Sequence, residues 1–153
     1  ILSQKILDAD VLVFGSPVYF HHVTAQMKKI IDRFRSFVHV QITEEGLLHT
    51  PHQSWNKDFV LLLPLGSSND EDAKPIIELF HFMLEMLGAN NRLHVITGKR
   101  LAVVNHVLKS KEELDYLYPK INLPEELAGM DAENNKLLLQ ECTMLGEKLS
   151  KMN

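Results

Sequence analysis

Cysteine is the first thing this sequence is short of: its 153 residues include one, Cys142. That excludes an internal disulfide and any metal cluster held by several thiolates of this chain. Positive charge is scarce as well. The net charge is −4 and no stretch is rich in lysine or arginine, which counts against nucleic acid and anionic membrane as main partners. Apolar runs are only a few residues long, far below the ~20 that a membrane helix requires, and nothing reads as a signal peptide. A cytoplasmic address is the expectation. What remains, 45% hydrophobic and 24% charged residues, is the composition of a soluble globular protein with one core.

The stretch Ala9–Phe34 (ADVLVFGSPVYFHHVTAQMKKIIDRF) carries the most information. Its run Val11–Phe14 suits a parallel strand buried on both faces. Gly15-Ser16-Pro17 stops that strand, because glycine frees the backbone and proline cannot donate to a ladder. From Thr24 the spacing of Met27, Ile30, Ile31, Phe34 and Val38 predicts a helix with one buried face. Two further strands are predicted at Phe59–Leu63 and Leu93–Ile96. Helices are predicted after Pro75, ending at Gly88, after Ser110, where Ser110 and Glu113 can form a capping box, and over Ala132–Leu149 with Asp131 as N-cap. Ile1, Leu2 and Lys5–Leu7 read as the end of a helix. Alternation of strand and helix means a parallel α/β sheet. His39–Lys57 breaks the pattern and reads as a flap or interface loop, and Lys99–Gly129 shows no sustained period. Because no strand or capping sequence precedes Ile1, the chain reads as the later part of a longer domain.

A loop between the carboxyl end of a central strand and a helix start is where open α/β sheets bind ligands. Gly15–Phe34 also resembles the flavodoxin-like NADPH-dependent FMN reductase family, and most closely its iron–sulfur flavoprotein branch. The matching residues are Ala9, Asp10, Gly15–Phe20, Gln26, Met27, Lys28, Ile31, Asp32 and Arg33. More loosely, Leu65-Gly66-Ser67-Ser68, Leu87-Gly88 and Leu145-Gly146-x-x-Leu149 fit the family downstream. The resemblance implies a three-layer α/β/α domain with a five-stranded parallel sheet that binds FMN. It implies a phosphate loop after the first strand. That strand and loop, and the cysteines of the iron–sulfur branch, have no counterpart here, so the expectation is a single domain over 1–153 that lacks them.

By this resemblance Ser16, Pro17, Val18, Tyr19 and Phe20 hold the flavin ring, with Gly66, Ser67 and Ser68 as a second cofactor loop. A proline-fixed turn with open N–H groups and an aromatic face suits that task. The alternative is that Pro17 and Tyr19 do no more than end a strand and cap the core. Asp70-Glu71-Asp72 form either a solvated helix entry or a negative rim that makes NADPH a poor donor. His21 and His22 either act at the site, narrowing it or donating to a bound quinone or anion, or face solvent. His49-x-x-His52 lacks a carboxylate or cysteine partner, so no metal site is expected. Cys142 lies on an apolar stripe and reads as an inert thiol. No catalytic residue is assigned, and no nucleophile elbow supports hydrolase chemistry. The expected function is FMN-binding electron transfer from NAD(P)H or a ferredoxin-like donor to a small-molecule acceptor (a quinone, flavin, nitro or azo compound), in a homodimer or homotetramer. The alternative is a truncated, non-catalytic module retained for oligomer assembly, since an unpaired Val11–Phe14 edge is a template for another chain. A receiver-type signalling domain ranks last, for want of an acidic pocket.

Overall fold

A computed structural model describes residues 2–151, so the expectation for Ile1 lies outside the described residues. The chain forms two compact units. One holds the residues up to Leu63 together with Glu71–Val95, and the other holds Pro64–Asp70 and the residues from Ile96 onward.

The first unit opens with helix α1 (Leu2–Asp8) and strand β1 (Val11–Gly15). Lys57 donates its ammonium to the carbonyls of Leu7 (2.7 Å) and Ala9, so a cation satisfies the exposed carbonyls at the α1 carboxyl end. Helix α2 (Ala25–Arg33) starts at Thr24, whose Oγ1 accepts the Met27 N–H at 3.3 Å. Ile31 of its predicted face is buried. Phe34 and Val38 are buried too, but outside the helix: Phe34–Phe37 is a 3-10 turn and Val38 begins a strand.

That strand, β2 (Val38–Thr43), pairs antiparallel with β3 (Gly46–Pro51) across the two-residue loop Glu44-Glu45. The predicted flap is therefore a β-hairpin. Thr43 Oγ1 donates to the Gly46 carbonyl at 3.0 Å, and Gly46 takes φ +131°, the backbone setting that favours glycine. Trp55, expected in a contact segment, is instead almost fully buried.

Strand β4 (Asp58–Pro64) pairs parallel with β1, Phe14 opposite Leu61 and Gly15 opposite Leu62, and the sheet order is β1-β4-β5, with β5 at Arg92–Gly98. An α/β fold with a parallel sheet is what the sequence predicts. One expectation fails: β1 is not covered on both faces. It stands at the sheet edge, with Phe14 buried and Val13 62% exposed, because alternate side chains point to opposite faces. Phe14 stacks on Phe59 (5.9 Å) and meets Phe80 edge-on (5.1 Å), so three elements share one aromatic core. Phe80 comes from α3 (Lys74–Leu87), which buries Ile76, Phe80, Met83, Leu84 and Leu87 and ends at Gly88.

Asp58 accepts from Arg92 Nε (2.9 Å), Arg92 Nη2 (2.7 Å) and His94 Nε2 (2.7 Å). The Arg92 hydrogen bond is the main cause that takes its pKa from 3.8 to about 2; burial opposes it and His94 assists. A carboxyl group depressed in the folded state stabilises fully above its unfolded pKa, and that contribution is lost as pH falls through the folded one. Thermal melts should show Asp58 contributing on the order of 2 kcal/mol that disappears between about pH 4 and pH 2. Asp58→Asn should be less stable than the parent at pH 7 and should close that gap at pH 2. A gap that stays constant across the series would refute it.

The second unit carries α4 (Lys111–Leu117) and the long helix α5 (Ala128–Ser150). The capping box of α4 forms as predicted, with Ser110 Oγ accepting the Glu113 N–H and Glu113 accepting the Ser110 N–H. α5 begins four residues ahead of its predicted start. Asp131 therefore lies inside its first turn and is not its N-cap. Leu114, Tyr118 and Ala128 form the centre of this unit's core.

Candidate functional site

In the first unit, the chain leaves β1 through Ser16, which is 2% exposed. Its N–H continues the ladder to the Leu62 carbonyl (3.1 Å). Its hydroxyl donates to the Pro17 carbonyl and accepts the Thr24 N–H, each at 3.0 Å. One buried hydroxyl thus ties the two ends of the loop together and fixes where α2 starts. Tyr19 and His22 exchange backbone hydrogen bonds of 2.9 and 3.0 Å. Between them Phe20 (φ 51°) and His21 (φ 60°) are both left-handed, the setting of a type I′ hairpin turn that ordinarily takes asparagine and glycine. A phenylalanine there costs on the order of 1–2 kcal/mol. Its ring is fully exposed, and Tyr19 beside it is largely exposed.

Among the described residues, no acceptor pairs with the N–H groups of Val18, Phe20 or His21. The loop therefore offers three open donors beside two open aromatic faces. Those are the parts that recognise a flat heterocycle whose edge carries carbonyl oxygens and ring nitrogens, and the donor set fits an isoalloxazine. His21 Nδ1 lies 3.7 Å from Asp72 Oδ1, a pairing not apparent from the sequence because the partners are fifty-one positions apart. His22 spends Nδ1 on the Val23 N–H (2.9 Å).

In the second unit, Gly66, Ser67 and Ser68 follow the end of β4. A Cβ at Gly66 would meet nothing within 4 Å, so the space over this turn is open. The Ser67 carbonyl accepts the Arg100 N–H at 2.9 Å, and the Leu65 carbonyl accepts that of Leu101 at 2.7 Å. Arg100, itself left-handed at φ 53°, sends its guanidinium to Asp131, with Nε 2.6 Å from Oδ2 and Nη2 on Oδ1. The Tyr118 hydroxyl donates to the same Oδ2 at 2.6 Å. Burial pushes the Asp131 carboxyl up, but the Arg100 and Tyr118 hydrogen bonds outweigh it and hold the pKa below the usual range. Burial, then the hydrogen bond to Asp131, drives the Tyr118 phenol upward. No sequence pattern links Arg100, Tyr118 and Asp131, so this support for the second loop was not foreseen.

The three acidic residues expected to form a negative rim each have a cationic or imidazole neighbour. Lys99 pairs with Asp70, Lys74 lies 3.8 Å from Glu71, and His21 faces Asp72. The electrostatic ground for excluding NADPH is correspondingly weak. Burial raises the pKa of the half-buried Cys142 thiol, which keeps it protonated and unreactive.

No curated protein matches this sequence. Solved structures similar to it include two azoreductases. An azoreductase from Bacillus anthracis str. Sterne is 20% identical with a TM-score of 0.42, covering 88% of this chain and 58% of that one. The azoreductase AzrA is 19% identical with a TM-score of 0.43 and the same coverage. The chain thus spans 58% of the length of either structure. The sequence profile of the NADPH-dependent FMN reductases matches residues 2–103, two thirds of the 153, and the chain accordingly belongs to the NADPH-dependent FMN reductase family.

Proposed function

We propose that this chain is an FMN-binding oxidoreductase that takes electrons from NAD(P)H and delivers them to a small acceptor such as a quinone, a free flavin or a nitro or azo compound. The Ser16–Phe20 loop carries this reading: it holds open N–H donors and exposed aromatic rings at the carboxyl end of a parallel strand. Pro17, Val18, Tyr19 and Phe20 would hold the ring, Ser16 would keep the loop in shape through its buried hydroxyl, and Gly66, Ser67 and Ser68 would form the second cofactor loop. When bound, the flavin supplies reversible two-electron chemistry; the protein binds it, orients it and limits water at its edge. We further place the chain nearest the iron–sulfur flavoprotein branch on the strength of Gly15–Phe34, as one flavodoxin-like domain that works as a homodimer or homotetramer. With one cysteine in the chain, it assembles no cluster from its own thiolates.

Titration of FMN fluorescence with the purified protein tests this reading. The expected result is saturable quenching at one FMN per chain, and bleaching of the bound flavin when NADH or NADPH is added without oxygen. Free FMN whose fluorescence is unchanged by excess protein would refute it and favour a non-catalytic assembly module.

A further inference from the structure

We propose that the groove between α5 and the 3-10 turn His106–Leu108 binds an amphipathic carboxylate of the fatty-acid type, its head held by Lys109 and Lys136 and its chain laid over Leu139 and Met144. The site lies wholly in the second unit and is independent of the flavin reading. The groove holds about 540 Å³, inside the ~300–1,000 Å³ that small-molecule sites span. One wall is a stripe of α5 formed by Ala132, Lys136, Leu139 and Met144, and the other is Val107 and Leu108. Leu108 and Met144 are 66% and 69% exposed and Leu139 is 39% exposed, so a concave place leaves an apolar strip in water. Buried groups fix the walls. Asn135, 5% exposed, donates from Nδ2 to the His106 carbonyl at 3.4 Å. The buried His106 ring accepts the Ala102 N–H at 3.3 Å and meets Tyr118 edge-on at 5.8 Å. A groove held in this way exists before its ligand arrives, which lowers the ordering cost of binding.

Charge and direction select the ligand. The chain carries a net charge of −4, yet the described residues that line this groove include two lysines and no carboxylate. Lys136 has an acidic neighbour in Glu133 of the same helix, at 3.8 Å, and both side chains are exposed. Such a pair is worth little and yields to another carboxylate. The two amines share one end of the groove. Residues 106–111 run back along α5, because His106 bonds to Asn135 and Lys111 lies against Gly129, where a Cβ would sit 3.5 Å from its Cε. Lys109 therefore stands near Ala132, one helical turn from Lys136, while Leu139 and Met144 lie toward the far end. From Ala132 to Met144 the helix rises ~18 Å, the reach of a stretched chain of about twelve carbons. A small inorganic anion would leave the apolar floor wet, and a neutral hydrocarbon would use neither amine. An amphiphile with one negative head meets both demands.

Calorimetric titration of the full chain with dodecanoate, kept below its micelle concentration, tests this. The expected result is saturable binding of one dodecanoate per chain, with a dissociation constant that rises about tenfold or more in Lys109→Glu/Lys136→Glu and in Leu139→Asp. Dodecanol, the same chain without the charge, should bind the unaltered protein about tenfold more weakly, and added salt should weaken dodecanoate alone. Leu137→Asp, an exposed α5 position outside the groove, should change nothing. Dodecanoate that does not bind, or that binds Leu139→Asp equally with circular dichroism intact, overturns the inference. Dodecanol binding as tightly as dodecanoate overturns it too, since the lysines would then select nothing. Other occupants have their own signatures, and either one sinks the proposal. One is co-sedimentation with phosphatidylglycerol vesicles without binding of monomeric dodecanoate. The other is self-association, read by sedimentation velocity, that Leu139→Asp abolishes and dodecanoate leaves intact. FMN titration of the same samples separates the two readings: dodecanoate binding without FMN binding leaves this inference standing and refutes the flavin reading, and the converse result does the reverse.

Discussion

Asp131→Ala should lower stability by about 3–5 kcal/mol, the cost of stripping a buried cation of its partner. Asp131 and the Arg100 side chain are 5% and 15% exposed, and Tyr118 is fully buried. Alanine would strand a guanidinium and a phenol together, each without its acceptor. Tyr118→Phe removes one hydrogen bond to a charged acceptor and should cost less, about 1.5–3 kcal/mol. Replacing both members of the ion pair in Arg100→Met/Asp131→Leu should recover much of the loss, because a well-packed apolar pair substitutes for a buried ionic one. Urea unfolding of the four proteins reads these differences as shifts of midpoint. Non-additivity against the single variants Arg100→Met and Asp131→Leu is the diagnostic: if the double variant loses as much as those two changes summed, the pair does not act as a unit. The pair also reaches the candidate cofactor loop. Arg100 holds the Ser67 carbonyl with its own N–H, so amide exchange at Arg100 should accelerate in Asp131→Ala before the rest of the unit opens.

Local chemistry made most of the frame legible. The three strands of the parallel sheet lie where short apolar runs placed them. Thr24, Gly88 and the Ser110–Glu113 box end or start helices for the reasons their side chains suggest. What escaped had no local signature. The hairpin turns on Glu44-Glu45 in place of an Asn-Gly pair, and Leu47-Leu48 blurs the alternation of β3. Phe34 and Val38 kept helical spacing after the helix had ended, so periodicity overran the true boundary at Arg33. Asp131 resembled an N-cap because such residues favour caps, but tertiary pairing with Arg100 recruited it to the inside of the helix. At the candidate site the residue types of Ser16–Phe20 were readable and their conformations were not. Nothing in Tyr-Phe-His-His announces two consecutive left-handed residues, since the glycine or asparagine that ordinarily signals such a turn is missing.

That missing signal yields a prediction in which stability and binding move in opposite directions. Phe20→Gly should leave the protein as stable as the parent or up to about 1 kcal/mol more stable, because glycine enters the left-handed region without a Cβ clash. The same change should weaken FMN binding about tenfold, the ~1.4 kcal/mol that one aromatic stacking face supplies. Tyr19→Ala/Phe20→Gly, which removes both exposed rings, should weaken it about a hundredfold. Phe20→Asn tolerates the same backbone without offering a ring, so it should match Phe20→Gly in affinity. Fluorescence titration and thermal melts on the same samples separate the two effects. If affinity is unchanged in Phe20→Gly while the parent protein binds FMN, the ring is only the tip of a turn and the open N–H groups carry the binding. If affinity falls and the melting temperature falls with it, loop disorder explains the loss. Only a weaker complex on an equally stable or more stable protein shows that the strained conformation is maintained for the ligand, with its cost borne by the rest of the fold.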